Sequence, residues 1–503
     1  MPRSRSDTTD AVRQTLILGL LALTMVFAPL IRAGQPPLAL MGIQLLAVAL
    51  IGAALWQRPA LRWGEVIGLA LLALVPLLYL VPLPAGLAGA LPGRGIYWDV
   101  WTKSLGEDGL PGMAHLSLIP SRTFAAWLVV LIPIGVFLAV RSLDPKRLPV
   151  LVYLLLGIAA LQSVLGLIQF GAGPDSPFYL GMEHTHFGSA VGTYTNRNHL
   201  AAFIAMTLPL ALALLFFNAG RGRDRRRGAR ARAAFLSTVR GQQALVFAAL
   251  VVLMLIALIF SRSRAGIALT MLGILLSVAV FSRRIGGDNV FGPTGSLVAI
   301  ALGLAVAIGL VPVLDRFSVE NVVDDARWEI FGSTLAGIGT FFPVGSGPGT
   351  YQEVYPVFQP LDLGRWFINR AHNDYLEWVF EGGVAAVVLI GWLLVLYVMR
   401  WPRVWSAGEW SRLRFLQVGS GVGIFLILLH ELVEYNLHTP ANLIFFAVLV
   451  GIFFSEPDAE VTAGHRTKRR TPVLGEEPAE AAYAPVVPSK PAPDQIKNPF
   501  LED

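Results

Sequence analysis

An all-α, polytopic membrane fold of about twelve transmembrane helices is predicted by two features of the chain, its repeated apolar runs and the placement of its arginines. Of 503 residues, 55% are hydrophobic and only 14% charged, with a mean hydropathy of +0.62. A soluble protein of this length carries nearly twice that share of charge. The apolar runs are about 17 to 23 residues long, the length at which a helix crosses the hydrocarbon layer. A soluble enzyme is thereby excluded. The lack of cysteine excludes disulfide staples, thiolate chemistry and Cys-ligated metal. The net charge of +6 is no nucleic-acid signal, because the arginines sit in short inter-helix loops, where they orient helices among membrane lipids.

Residues 1–13, with Arg3, Arg5 and Arg13, form the N-terminus. The run from about Leu16 to Ile31 is long for a signal-peptide core and has no small-x-small cleavage site, so it reads as a retained first span. The membrane domain, 14–455, then holds expected spans at 14–31, 38–56, 64–82, 122–141, 148–170, 198–218, 242–260, 265–282, 295–314, 379–399, 415–437 and 440–455. Basic residues follow the even-numbered spans. They are Arg58 and Arg62; Arg141, Lys146 and Arg147; the run from Arg221 to Arg240; Arg283 and Arg284; Arg400, Arg403, Arg412 and Arg414; and His465 to Arg470. The positive-inside bias puts these loops, and both termini, in the cytoplasm. The odd-numbered exits face outward, and three of them are long: 83–121, 171–197 and 315–378. Long outer loops on such a scaffold are where chemistry resides. Residues 456–503, rich in Pro, Ala and charge, read as a disordered cytoplasmic tail, either inert or recruiting a partner.

One turn breaks the charge rule. Ser261-Arg262-Ser263-Arg264 places two arginines between two apolar helices on the outer side, where arginine is costly unless it serves an anionic ligand such as phosphate. In the largest outer loop, Asp324 and Asp325 precede Arg327-Trp328, predicting Arg327 in the first turns of a short helix along the membrane surface. Gly345, Gly347 and Gly349 alternate in a turn suited to presenting backbone N–H groups to an anion, or serving simply as a loop. The loop ends Asn369-Arg370-Ala371-His372-Asn373-Asp374. His372 suits a general base, or else an interfacial side chain beside the Trp-Tyr belt. Asn196, Arg197, Asn198 and His199 at the mouth of span six suit sugar hydroxyls or a phosphate, although Asn198 also suits a helix cap. His430 and Glu434, four apart near the outer end of span eleven, share a helical face, with Glu431, Asn436 and His438 beside them; they read as a functional pair or an interhelical lock. Glu183, His184 and His186 lack a further ligand set at metal-binding spacing, so no metal is expected.

Together these pieces resemble the O-antigen ligase and polymerase superfamily. The resemblance covers about residues 190–455 and rests on five stretches: Gly192 to His199, Ser263-Arg264-Ala265-Gly266, Arg327-Trp328, Pro343 to Gly349, and Arg370 to Leu376. It implies a GT-C-like membrane glycosyltransferase of the bacterial inner membrane, with a large periplasmic loop between spans nine and ten. Such enzymes take a glycan from undecaprenyl pyrophosphate and pass it to an acceptor hydroxyl on the lipid A core or on another glycan chain, without metal or other cofactor. By the resemblance, Arg264 and Arg327 engage the pyrophosphate, with Arg262 and Arg370 beside them, and His372 activates the acceptor. Asn196, Arg197, Asn198, Asn373, Asp374 and Glu434 are weaker candidates for substrate contact. Some relatives carry a further histidine shortly before the motif histidine; Arg370 stands there instead, which leaves the acceptor open. The chief alternative is a flippase or exporter of lipid-linked glycan, which calls for polar residues at mid-membrane rather than at the outer mouth.

Overall fold

The computed structural model describes residues 5–106, 112–174, 176–179, 188–220, 234–285, 322–405 and 410–456. The described residues are almost all helical. Helices α1 (Arg5–Leu30), α2 (Pro37–Gln57) and α3 (Trp63–Leu78) lead to a small subdomain in the stretch expected to face outward. There, strands β1 (Pro82–Pro84) and β2 (Met113–His115) pair antiparallel, Leu83 opposite Ala114, around α4 (Ala85–Gly89) and α5 (Gly95–Leu105). The bundle continues with α6 (Pro120–Ser142), α7 (Leu148–Ala172), α8 (Arg197–Gly220), α9 (Val239–Ser261) and α10 (Arg264–Ile285). After the outer helix α11 (Val322–Phe341) and the single turn α12 (Tyr351–Val354) come α13 (Asp374–Val404), α14 (Arg412–His430) and α15 (Pro440–Phe454).

Among the described residues nine helices are long and apolar enough to cross a membrane, and α3 and α15 are shorter apolar helices. These coincide with every expected span except 295–314, which lies outside the described residues, as do the Arg221–Arg232 loop, the Glu183–His186 segment and the tail beyond Glu456. Helix α8 is the centre of the bundle: its apolar window is wholly buried, and α14, α9 and α10 pack around it. Gly419 and Gly423 of α14 permit that approach, since a Cβ at Gly423 would lie 2.2 Å from the Met206 carbonyl oxygen. Paired small residues four apart are how membrane helices bring backbones together where lipid supplies no hydrophobic drive.

Three expectations are corrected. The helix carrying Arg327 is not short: α11 has 20 residues, a rise of about 30 Å. Span eleven stops at His430 rather than 437. The Glu431 carbonyl, which a continuing helix would give to the Tyr435 N–H, accepts the Asp374 N–H at 3.0 Å, and Asn373 donates to the Leu432 carbonyl. His430 and Glu434 therefore do not share a helical face; Glu434 lies in the link to α15. Third, the glycine turn does present its N–H groups to a carboxyl group, but that group belongs to the protein's own Glu381. Gly349 N–H and Tyr351 N–H donate to the two Glu381 carboxylate oxygens at 2.8 Å each, and Gly347 N–H donates to the Glu381 carbonyl at 2.8 Å. Helix α13 breaks at Gly383 (φ 51, ψ −133), where a Cβ would lie 2.1 Å from the Pro343 carbonyl oxygen. Only glycine fits both that dihedral and that contact.

Candidate functional site

The site is built from the loop before α13 and the link between α14 and α15. On one side of His372, Arg370 pairs with Glu377 at 2.6 Å and the Ala371 N–H donates to the same carboxylate at 2.9 Å. On the other, the Asn373 side chain caps α13, accepting the Leu376 N–H at 3.1 Å, and donates to the Leu432 carbonyl at 2.9 Å. His372 is pinned between these anchors at φ +53, a left-handed conformation that costs a non-glycine residue about 1 to 3 kcal/mol and survives only where the surroundings impose it.

Its imidazole Nδ1 lies 3.0 Å from Oε1 of Glu434. The other oxygen, Oε2, accepts from Asn198 Nδ2 at 2.5 Å and pairs with the Arg327 guanidinium at 3.1 Å. One carboxylate, 1% exposed, thus joins the start of α8, the outer helix α11, the loop before α13 and the link after α14. His372 and Arg327 are each 22% exposed, so both remain reachable from outside. Burial alone would raise the Glu434 carboxyl; the hydrogen bond and charge of His372, with the charge of Arg327, instead hold it well below the usual carboxylate range. The Tyr435 ring stands edge-on between His372 (4.9 Å) and His199 (5.0 Å). Burial, then the Glu434 charge, pushes its phenol up to about 12, so it stays protonated. Asn196 bonds that hydroxyl and also caps α8, accepting the Asn198 N–H at 2.8 Å. The capping role considered for Asn198 falls to Asn196, which frees Asn198 for Glu434.

A second network lies beside the first. His438 uses both ring nitrogens, Nδ1 on Asp374 at 3.0 Å and Nε2 on Glu377 at 3.2 Å. Burial and the Arg370 charge pull the His438 imidazole down, but the Asp374 and Glu377 carboxylates outweigh them and hold it up at about 9. Arg370 and Asp374, both candidate ligand residues in the sequence, are thus engaged with partners inside the protein.

The two arginines of the outer turn differ. Arg262 ends α9 at φ +57, with its guanidinium over the Phe170 ring of α7 at 5.7 Å. Arg264 opens α10 and is half-buried. Two residues on, Gly266 meets Ala201 so closely that a Cβ there would lie 2.5 Å from the Ala201 Cβ. Ala201 is one turn along α8 from Asn198, so the α10 mouth adjoins the helix start that reaches Glu434. Arg197, half-buried, begins that helix. The structure therefore brings Asn198, Arg327, His372 and Glu434 to one point, with Asn196 one contact further out.

Sequence reading missed Glu377, Glu381 and Tyr435. A usable signal existed for two of them: Glu377 and Glu381 are four apart at the mouth of an apolar helix, where like charges need dedicated partners. Nothing in the sequence marks Tyr435.

No curated protein matches the chain. A family model does: the one described as O-antigen ligase matches residues 249–391, less than half of the chain. The matched stretch contains Arg264, Arg327, Arg370 and His372, while Asn198 and Glu434 flank it on either side. Over that stretch the chain is similar to the O-antigen ligase family, and the match supports ligase- or polymerase-type glycosyl transfer in polysaccharide biosynthesis.

Proposed function

We propose that the protein transfers a glycan from an undecaprenyl-pyrophosphate donor to an acceptor hydroxyl at the periplasmic face of the bacterial inner membrane, with both termini cytoplasmic. The observation that carries this reading is the convergence of Arg327, His372 and Asn198 on buried Glu434, beside the helix mouth that bears Arg264. The sugar–pyrophosphate bond is already activated. Transfer needs charge stabilisation on the departing pyrophosphate and a base for the attacking hydroxyl. Fixed guanidiniums at Arg264 and Arg327 meet the first need by charge-assisted hydrogen bonds, and His372 meets the second. Cationic side chains thereby do the work a metal would otherwise do, and the reaction is proposed to be metal-independent. A largely apolar cavity of about 210 Å³ lies between α3, α6, α13 and α14, lined by Leu69, Leu72, Ile134 and Leu393 and reaching Asp374 and Glu431 at one end. It suits a few isoprene units of the donor's polyprenyl chain next to the pyrophosphate.

Glycan analysis of a deletion strain tests the reading and separates its two forms. Polymer accumulating on the lipid carrier marks a lost ligase, and single repeat units mark a lost polymerase. Normal surface glycan with both R264A and H372A, each still inserted in the membrane, would sink the transferase. Movement of labelled lipid-linked glycan across liposomes holding the purified protein would support the exporter instead.

A further inference from the structure

We propose that Glu434 is the positioning residue of the transfer reaction. It holds the His372 imidazole by Nδ1, so that Nε2 takes the acceptor proton, and it stabilises the imidazolium that results. This rests on the reading of His372 as the base.

The geometry carries the assignment. Glu434 is 1% exposed, and its Oε1 lies 3.0 Å from Nδ1, a distance at which an Nδ1–H donates to the carboxylate. A hydrogen bond at one ring nitrogen sets the tautomer and leaves the other nitrogen as the base. The φ of +53 at His372, imposed from both sides by Ala371 N–H to Glu377 and by Asn373 to Leu432, keeps the ring over this carboxylate. The Tyr435 ring edge at 4.9 Å limits rotation of the imidazole. Glu434 itself is fixed through Oε2 by Asn198 and Arg327, so it orients the base without being free to move toward substrate.

The step balances within these groups. The acceptor oxygen bonds the anomeric carbon as its O–H bond breaks. The proton passes to Nε2, and the electron pair of the cleaved glycosyl C–O bond leaves on the pyrophosphate. Because Nδ1–H already faces a carboxylate, the positive charge arising on the ring meets an opposite charge that needs no rearrangement. The same carboxylate fastens Arg327, so the base and a pyrophosphate ligand are held at fixed separation from one atom group.

Two measurements on the full-length protein test this. In the first, ¹⁵N-histidine NMR of protein in lipid bilayers reads the tautomer of His372, one of eight histidines, its signal assigned by loss in H372Q. The expected result is a ring that carries a proton at Nδ1; a ring protonated at Nε2 alone overturns the proposal, with no dependence on activity. In the second, E434Q is added to membranes of a deletion strain, which hold the native lipid-linked glycan, and kcat and KM are followed separately. The expected result is a fall in kcat on the order of 100-fold with KM little changed, and a His372 ring that the NMR spectrum no longer shows held with its proton at Nδ1. A loss of rate with the Nδ1 tautomer kept overturns the positioning role. Full activity of H372Q would instead overturn the reading of His372 as base, whatever E434Q does.

Discussion

Glu381 and Glu434 are both carboxylates buried near the outer mouth of the bundle, and they are satisfied in opposite ways. Glu381 accepts backbone N–H groups from one short turn, Gly349 and Tyr351, and its own carbonyl accepts a third from Gly347. Among the described residues the Glu434 carboxylate accepts from side chains alone, and they come from three distant segments: Asn198, Arg327 and His372. Backbone donors cannot turn away without unfolding the turn, so Glu381 is a fixture of the fold. Side-chain donors can exchange one anion for another, and two of those at Glu434 are partly exposed. The contrast separates a carboxylate that holds shape from one that, in the proposed reaction, organises chemistry.

The largest effect expected from this contrast is on the Glu381 side. Valine at Gly383 meets the Pro343 carbonyl oxygen and an unfavourable φ together, so G383V yields no monodisperse protein on size exclusion. Recovery of wild-type amounts of folded G383V would show that the turn is not rigid. On the Glu434 side, H372A loses on the order of 100- to 10,000-fold in transfer rate while its size-exclusion profile stays that of the wild type. R327A is expected to lose on the order of 100-fold or more in kcat, again without loss of folded protein. R370A is expected to behave in the other manner. It leaves Glu377, which is 0% exposed, with only His438 and the Ala371 N–H, and lowers stability by less than the roughly 3 kcal/mol of a fully unpaired buried charge, read as a lowered melting temperature. If R370A left stability intact and abolished transfer, Arg370 would belong with the substrate ligands rather than with the scaffold.

The smallest effect is in pH. His438 is held at about 9, above the ordinary histidine value of about 6.5. Its contribution to stability is complete below about pH 6.5 and is lost as pH rises through about 9. The melting temperature should therefore fall across that window, and H438Q should flatten the fall. A melting temperature that rises from pH 6.5 to 9 contradicts the pairing with Asp374 and Glu377.

Much of this was legible in the sequence because a bilayer simplifies the code. Apolar runs gave most of the described spans to within a few residues, the start of α1 and the end of α14 being the larger misses, since length and hydropathy go far toward deciding a span. Arg327 and His372 stood out because charge at an outer mouth is expensive. What the sequence hid was pairing. Glu434 meets His372 across 62 positions and Asn198 across 236, separations for which no local periodicity exists. The end of α14 was misjudged for a similar reason: the apolar run continues through Leu432 and Val433, but a backbone hydrogen bond to Asp374, from a segment some 57 residues earlier, claims the carbonyl that would have extended the helix. The glycine turn was open to two readings, an anion-presenting turn or simply a loop; that its N–H groups are taken by Glu381 of the same chain could not be seen without the contact.

The break at Gly383 bears on where the reaction takes place. At 31 residues, α13 is too long for one straight crossing. Divided at Gly383, the stretch Val384–Val404 rises about 30 Å at 1.5 Å per residue, which matches the hydrocarbon thickness. The piece before it, Asp374–Gly382, is bound to the Pro343–Gly349 turn through Ser346 and Gly347. One glycine thus works as a depth gauge. It lets a single helix both cross the lipid and carry the loop bearing His372 at a set height above it, the level at which, in the proposed reaction, a membrane-bound donor presents its scissile bond.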